Sequence, residues 1–369
     1  FAMIRQLGFP SLFLSQSCAE TKWTDMLRAL AEVKHSRTYT NEEIDALDDE
    51  EKAELVRGDP VTVVRFFEHR FQTFFKDVVK SKHHPLGEIT DHFWRYEFAG
   101  RGAIHVHWFG YVKGAPEYGT DSNESIAAFY DKIISCSSDV SEEEVPYLEW
   151  QLHKHRGGCR LRSRNKCKFH FPQPPMRHSQ VVEPLDDKTS EEDVEKAKNN
   201  WKHIHKFLCD LGMATDCTMT FEQMLTHLEL TEADYMLAVR SSITQVRLFL
   251  KRQVCEIRVN QYMKHCLRFW RANHDIQVVL EPYGMVRYIL NYVTKGQKGM
   301  SVLMERACRE AREGSMALKN AVRHMGNAFL NGVETSQQEA AFLILQLPLT
   351  RMSHEVVFIP TSPPGECVY

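Results

Sequence analysis

Residues 92–98 (HFWRYEF) and 103–112 (AIHVHWFGYV) are two aromatic and β-branched runs joined by Ala99-Gly100-Arg101-Gly102. A link of four residues with two glycines cannot hold a helix. It turns the chain back on itself, so the two runs read as an antiparallel hairpin. Side chains alternate along a strand, so His105 and His107 share one face while Val106, with Ile104 and Trp108, takes the other. A lone His-x-His also suits two polar positions on a solvated strand face. Glu97 adds to the pair: it lies on the preceding strand, across the tight turn, where the hairpin can bring it beside both imidazoles. Two imidazoles and a carboxylate suit a divalent ion with open positions, and Mg²⁺ or Mn²⁺ held there can polarise a phosphate.

Other elements follow from local pattern. Residues 11–17 (SLFLSQS) read as a short buried strand. Asp59 and Pro60 start a helix as N-cap and first helical residue. Val63, Val64, Phe67, Phe71, Phe74 and Phe75 then follow the 3,4 spacing of one buried face. A helical pattern runs from Phe221 to Val259, with a capping box at Thr231. Residues 276–280 read as a strand and 285–294 as a helix. In the tail, 316–330 and 335–346 read as helices and 355–359 as a strand.

Charge is unevenly placed. The chain of 369 residues carries a net charge of -3, so global charge gives no argument for nucleic-acid binding. Residues 41–54 and 183–195 are acidic, yet seven Lys or Arg and no acid lie between Leu152 and His170. Such a local basic patch can hold phosphates. Hydrophobic residues at 43% and charged residues at 26% exclude a wholly disordered chain. Ten cysteines are too sparse for a secreted disulfide scaffold and fit reduced thiols or metal ligation. No apolar run nears the ~18 residues of a membrane span. The N-terminus lacks an initiator Met and a signal pattern, as expected of an internal fragment.

Two further constellations carry chemistry. His153, His155, Cys159 and Cys167 offer two imidazoles and two thiols, enough to close a tetrahedral Zn²⁺ site around a short basic loop. The bland alternative is a loose basic loop. Similar spacing recurs at His203, His205, Cys209 and Cys217, but across an amphipathic pattern that reads as helix. Tyr288 and Tyr292, at i and i+4, share a helical face with Lys295 nearby. They fit core aromatics or nucleophiles. A phenol with pKa ~10 needs a metal-activated phosphate or a base to attack.

The segment YEFAGRGAIHVHWFGYV resembles the HUH strand pair of Helitron-type rolling-circle transposases: Glu-Phe, an Arg-Gly turn, then His-hydrophobic-His. The stretch from Ile257 to Ser301 is similar to their two-tyrosine region, including the Ala-Asn-x-Asp-Ile-Gln lead-in and the Tyr-x-x-x-Tyr-x-x-Lys core. LGFPSLFLSQSCAE and DPVTVVRFFEHRFQTFFKDV look like the family's opening strand and helix. CKFHFPQPP resembles its Cys-Arg-Phe-Gly-Phe-Pro segment, with His170 where Gly is usual. NGVETSQQEAAFLILQLPLTR is similar to the stretch leading to the helicase.

The resemblance implies an α+β fold of the rolling-circle initiator kind. A central antiparallel sheet would carry flanking helices and a zinc-bound basic insertion, with the tyrosine helix packed across the HUH strands. It divides the chain into 1–137, the first part of a nuclease core; 138–220, an inserted Cys/His module with acidic linkers; 221–300, a helical region and the two-tyrosine helix; and 301–369, an extension towards a helicase. It also implies a chemistry. Metal on His105, His107 and Glu97 would polarise a phosphate of single-stranded DNA at a transposon end or target site. Tyr288 or Tyr292 would attack, leaving a covalent 5′-phosphotyrosine and a free 3′-OH. Lys295 completes that motif. Arg160, Arg162, Arg164, Lys166 and Lys168 of the zinc loop would contact DNA phosphates. The full protein would add a superfamily 1 helicase and work in the nucleus, with no membrane. His155 stands where the family usually has Cys, which zinc tolerates. No Gly-x-x-x-x-Gly-Lys-Ser/Thr loop occurs in the sequence, so no ATPase is expected within it. Two other functions compete: a catalytically silent single-strand-binding zinc module, and a metal phosphodiesterase that uses water and needs no tyrosine.

Overall fold

The structure, a computed structural model, describes residues 2–99, 102–155, 159, 167, 169–211, 217–281, 309–310, 320, 323, 335–355 and 357. The elements are α1 (Ala2–Leu7), β1 (Leu12–Ser17), α2 (Thr24–His35), α3 (Asn41–Asp45), α4 (Asp49–Gly58), α5 (Pro60–Phe74), β2 (Ile89–Phe98), β3 (Ile104–Val112), α6 (Asn123–Asp131), α7 (Val145–Leu148), β4 (Gln180–Val182), α8 (Glu191–Asp210), α9 (Phe221–His227), α10 (Glu232–Ser241), β5 (Arg247–Phe249), α11 (Lys264–Trp270), β6 (His274–Val278), α12 (Gln337–Ile344) and β7 (Thr350–Met352). The chain is thus mixed α+β, as expected.

Five strands form an antiparallel sheet in the order β6-β1-β3-β2-β7, with the His-x-His strand at its centre. The hairpin forms as read: Ala99 N–H donates to Ala103 O at 2.9 Å and Gly102 N–H to Ala99 O at 2.7 Å. One sheet face is apolar. Leu12, Leu14, Ile104, Val106, Trp108 and Ile276 are all fully buried there. Helix α5 covers this face because its apolar side chains recur every three or four residues, and because Asp59 caps its first turn by accepting from Thr62 N–H at 3.0 Å. Phe67 packs edge-on against Tyr96 at 6.0 Å and Phe71 against Trp94 at 5.3 Å. Burial of each such ring contributes about 2–3 kcal/mol, and truncating Phe71 to Ala would cost about 3–5 kcal/mol. A buried polar tie crosses the same layer: Trp108 Nε1–H donates to Gln16 Oε1 at 2.8 Å, and Gln16 Nε2–H to Cys266 Sγ at 3.3 Å.

A second hydrophobic core joins Met176 and Val182 to Ile204, Leu208, Met224, Tyr235, Val239 and Phe249. Thr231 caps α10 by accepting from Asp234 N–H at 3.1 Å, as its motif suggests. The helical pattern does not continue to Val259. Ser241 and Ser242 turn their hydroxyls back onto the carbonyls of Ala238 and Val239, both at 2.7 Å, and α10 ends. The chain then extends as β5 and pairs with β4. Helix α8 runs through His203, His205 and Cys209, as read for that part of the second Cys/His spacing, while Cys217 lies beyond the helix. A tail strand forms at Thr350–Met352 on the edge of β2, and the strand expected at 355–359 lies outside the described residues apart from 355 and 357. The expected helices at 285–294 and 316–330 lie outside the described residues, apart from isolated positions.

Candidate functional site

The face opposite α5 is polar, and strand register alone assembles it. Glu97 pairs with His105, Arg95 with His107, Ser17 with His105, Ser15 with His107 and Asp275 with Ser15. Residues paired across a sheet point to the same side, so side chains from four strands gather on this face. They line a groove of about 1690 Å³.

Glu97 Oε2 lies 2.9 Å from His107 Nε2, with the side chains 20% and 11% exposed. This is the distance of an ordinary hydrogen bond or ion pair, and it is also close to the ~3.0 Å that separates adjacent ligands about 2.1 Å from an octahedral ion. The His105 ring lies parallel to that of His107, within 11° and with centroids 6.5 Å apart. Its Nδ1 contacts Ala103 O at 3.2 Å. A carbonyl only accepts, so the proton belongs on Nδ1 and the lone pair on Nε2, the arrangement a metal-binding imidazole needs. Glu97, His105 and His107 thus share one face as the hairpin reading expects, with Glu97 against His107 and the two imidazole centroids 6.5 Å apart. Phe13 stacks on the far side of His107 at 6.0 Å.

The donor atoms of His153, His155, Cys159 and Cys167 all lie within 4.8 Å of one another, and this is the metal-capable His/Cys/Asp/Glu group found among the described residues. His155 Nδ1 is 3.4 Å from Cys159 Sγ, and His153 Nε2 is 3.3 Å from Cys167 Sγ. The N–S edge of a tetrahedral zinc site is about 3.6 Å for bonds of 2.1 and 2.3 Å, so the four can hold an ion such as zinc. His153 is fixed from two sides: its N–H donates to Arg258 O at 2.8 Å, and its ring stacks on Phe171 at 4.3 Å. Burial, with the charges of His155 and Arg258, pushes its pKa down to about 4, which keeps a lone pair available. His153, Lys154, Phe169 and Phe171 line the same groove as the two histidines of β3.

Sequence reasoning missed several groove residues. Arg95 precedes Glu97 by two and follows from the same alternation. Asp275 accepts from Asn260 Nδ2–H at 3.2 Å and from Gln277 Nε2–H at 2.9 Å, and burial pushes its carboxyl up. Its place two strands from His107 depends on a long-range pairing that no local pattern reveals. Tyr288, Tyr292 and Lys295 lie outside the described residues, as do Arg160, Arg162, Arg164, Lys166 and Lys168.

Residues 1–109 match the family model described as the Helitron helicase-like domain at the N-terminus. This part of the chain is Helitron-related. The matched stretch runs from α1 through β2 and into β3, so it includes Glu97, His105 and His107. The match suggests a transposon-associated, DNA-related context for this stretch. No curated protein matches the chain. No helix among the described residues is long and apolar enough to cross a membrane.

Proposed function

We propose that the chain is the endonuclease part of a Helitron-type transposase, which nicks and joins single-stranded DNA at transposon ends and target sites. The observation that carries the reading is the hairpin register: Glu97, His105 and His107 share one face of the central strands, inside the Helitron-related stretch and on the floor of a groove. Mg²⁺ or Mn²⁺ bound by these three would serve as a Lewis acid toward a phosphate oxygen. Glu97 and the Ala103 carbonyl hold the two imidazoles in orientation. Phe13, stacked on His107, limits its swing.

The nucleophile in this reading is the phenol oxygen of Tyr288 or Tyr292. The O–P bond to tyrosine forms as the P–O3′ bond breaks, and the phenolic proton leaves to solvent while the 3′-oxygen takes one up. A 5′-phosphotyrosine and a free 3′-OH result, and reversal by another 3′-OH joins strands without ATP. Lys295 would stabilise charge on the phosphate. A zinc ion on His153, His155, Cys159 and Cys167 would shape the basic loop, so that Arg160, Arg162, Arg164, Lys166 and Lys168 meet the DNA backbone. The helicase of a full-length protein and a nuclear location complete the proposal.

The test is incubation with a randomised, 3′-end-labelled single-stranded oligonucleotide pool and Mn²⁺, followed by denaturing electrophoresis. A covalent protein–DNA adduct is expected, lost in EDTA and in the double variant Tyr288→Phe, Tyr292→Phe. Cleaved DNA without an adduct would favour hydrolysis by water. Binding with neither cleavage nor adduct would favour a silent single-strand-binding module.

A further inference from the structure

Arg95 lies directly across from His107 in the β2–β3 ladder, and its side chain enters the groove on the same face as Glu97. It is half-buried. Three other buried or half-buried arginines are tied, Arg70 to Asp25 at 2.9 Å, Arg351 to Glu68 at 3.0 Å, and Arg252 to the Val259 carbonyl at 2.7 Å, while Arg247 of the same groove lies over the Phe249 ring at 5.4 Å, on β5 and outside the ladder that holds His107. Among the described residues, no hydrogen bond or ion pair of this kind holds the Arg95 guanidinium. Its charge is felt by Glu339 of α12, whose carboxyl is raised by burial and lowered again by Arg95. A guanidinium held partly out of water next to a site for charged substrate, with its five donors uncommitted, matches an anion with two acceptor oxygens.

We infer that Arg95 is a catalytic residue of this site, its guanidinium binding a non-bridging oxygen of the phosphodiester that lies over Glu97, His105 and His107. The inference rests on the nuclease reading and adds a residue to it. Arg is suited because it can grip the phosphate in the ground state and offset the charge that gathers on its oxygens during transfer.

The test couples a protein change to a substrate change. A single-stranded oligonucleotide recovered from the pool is remade with one neutral methylphosphonate linkage at each position in turn. Affinity is measured in EDTA by fluorescence anisotropy for the wild type and for Arg95→Gln. At one linkage the wild type should lose about tenfold in affinity on neutralisation, and Arg95→Gln should lose less than about twofold, because its contact is already gone. That linkage should be the one cut in Mn²⁺, and Arg95→Gln should form adduct there about 100-fold more slowly. Arg95→Lys should recover part of both losses, which separates a lost charge from a disturbed strand. Equal losses in both proteins at every linkage would overturn the inference, as would coupling confined to a linkage that is not cut. Failure of the wild type to form any adduct would instead overturn the nuclease reading, whatever the metal-free measurement gave.

Discussion

Replacing Glu97 by Gln separates a metal ligand from a structural partner of His107. Gln has the same shape, and its amide can still hydrogen-bond His107 Nε2 across the 2.9 Å now spanned by the carboxylate. Glu97 is partly exposed, so the change removes one charge without leaving a buried orphan. Folding stability should therefore shift by no more than about 1 kcal/mol. The metal site should respond differently. Its three donors from the chain would supply a single formal charge, all of it on Glu97, and the 2.9 Å spacing fits neighbouring ligands of one ion. Loss of that ligand should weaken Mn²⁺ binding by at least tenfold, or about 1.4 kcal/mol. Titration of Mn²⁺ by electron paramagnetic resonance gives the affinity, and urea denaturation gives the stability. Glu97→Asp, which keeps the charge on a shorter stem, should fall between. Mn²⁺ affinity within twofold of the wild type in Glu97→Gln would refute the ligand assignment and leave Glu97 only as a partner of His107.

Three further outcomes can be checked. Elemental analysis of the purified protein should find about one tightly held zinc per chain, and Cys159→Ser should release it and weaken the salt dependence of DNA binding; a zinc-free wild type with the same DNA affinity would contradict this. Gln16→Leu should cost about 1–3 kcal/mol in urea denaturation, because Trp108 Nε1–H would be buried without its 2.8 Å acceptor; a loss under about 0.5 kcal/mol would show that the indole finds another partner. His274 is fully buried and its pKa is pushed down to about 4 by that burial, so the unfolded chain binds the proton more readily. Its contribution is present above the ordinary pKa of about 6.5 and is lost as pH falls towards 4, amounting to about 2 kcal/mol at pH 5; His274→Gln should flatten the slope of stability against pH over that range.

The parts legible in the sequence are those set by neighbours along the chain. Asp59 and Thr231 cap their helices because a cap needs only the next three residues. The face of α5 is legible because a period of 3.6 leaves little choice once Phe67, Phe71 and Phe74 must be buried. The helix ending at Ser241 was not, since the following Val246 and Leu248 keep an apolar spacing that fits a helix as well as the strand they join. What decides between them is the pairing of residues 247–249 with the distant strand β4. Strand β7 is not legible in the sequence, because residues 350–352 become a strand only where the distant edge of β2 offers them partners.

The candidate site is legible for the same local reason: Glu97, His105 and His107 span only one hairpin, and register plus a period of two decides their shared face. Ser15, Ser17 and Asp275 escape this reading, because β1 and β6 reach the groove through pairings between residues about 90 to 260 positions apart. Arg95 is a different case. It sits at i−2 from Glu97, so the alternation that selected the carboxylate selects the guanidinium as well. Only the absence of an obvious metal-ligand role kept it out of view. The strand that carries the carboxylate therefore carries a guanidinium two residues away on the same face, and the proposed nuclease reading would use the first toward a cation and the second toward a phosphodiester.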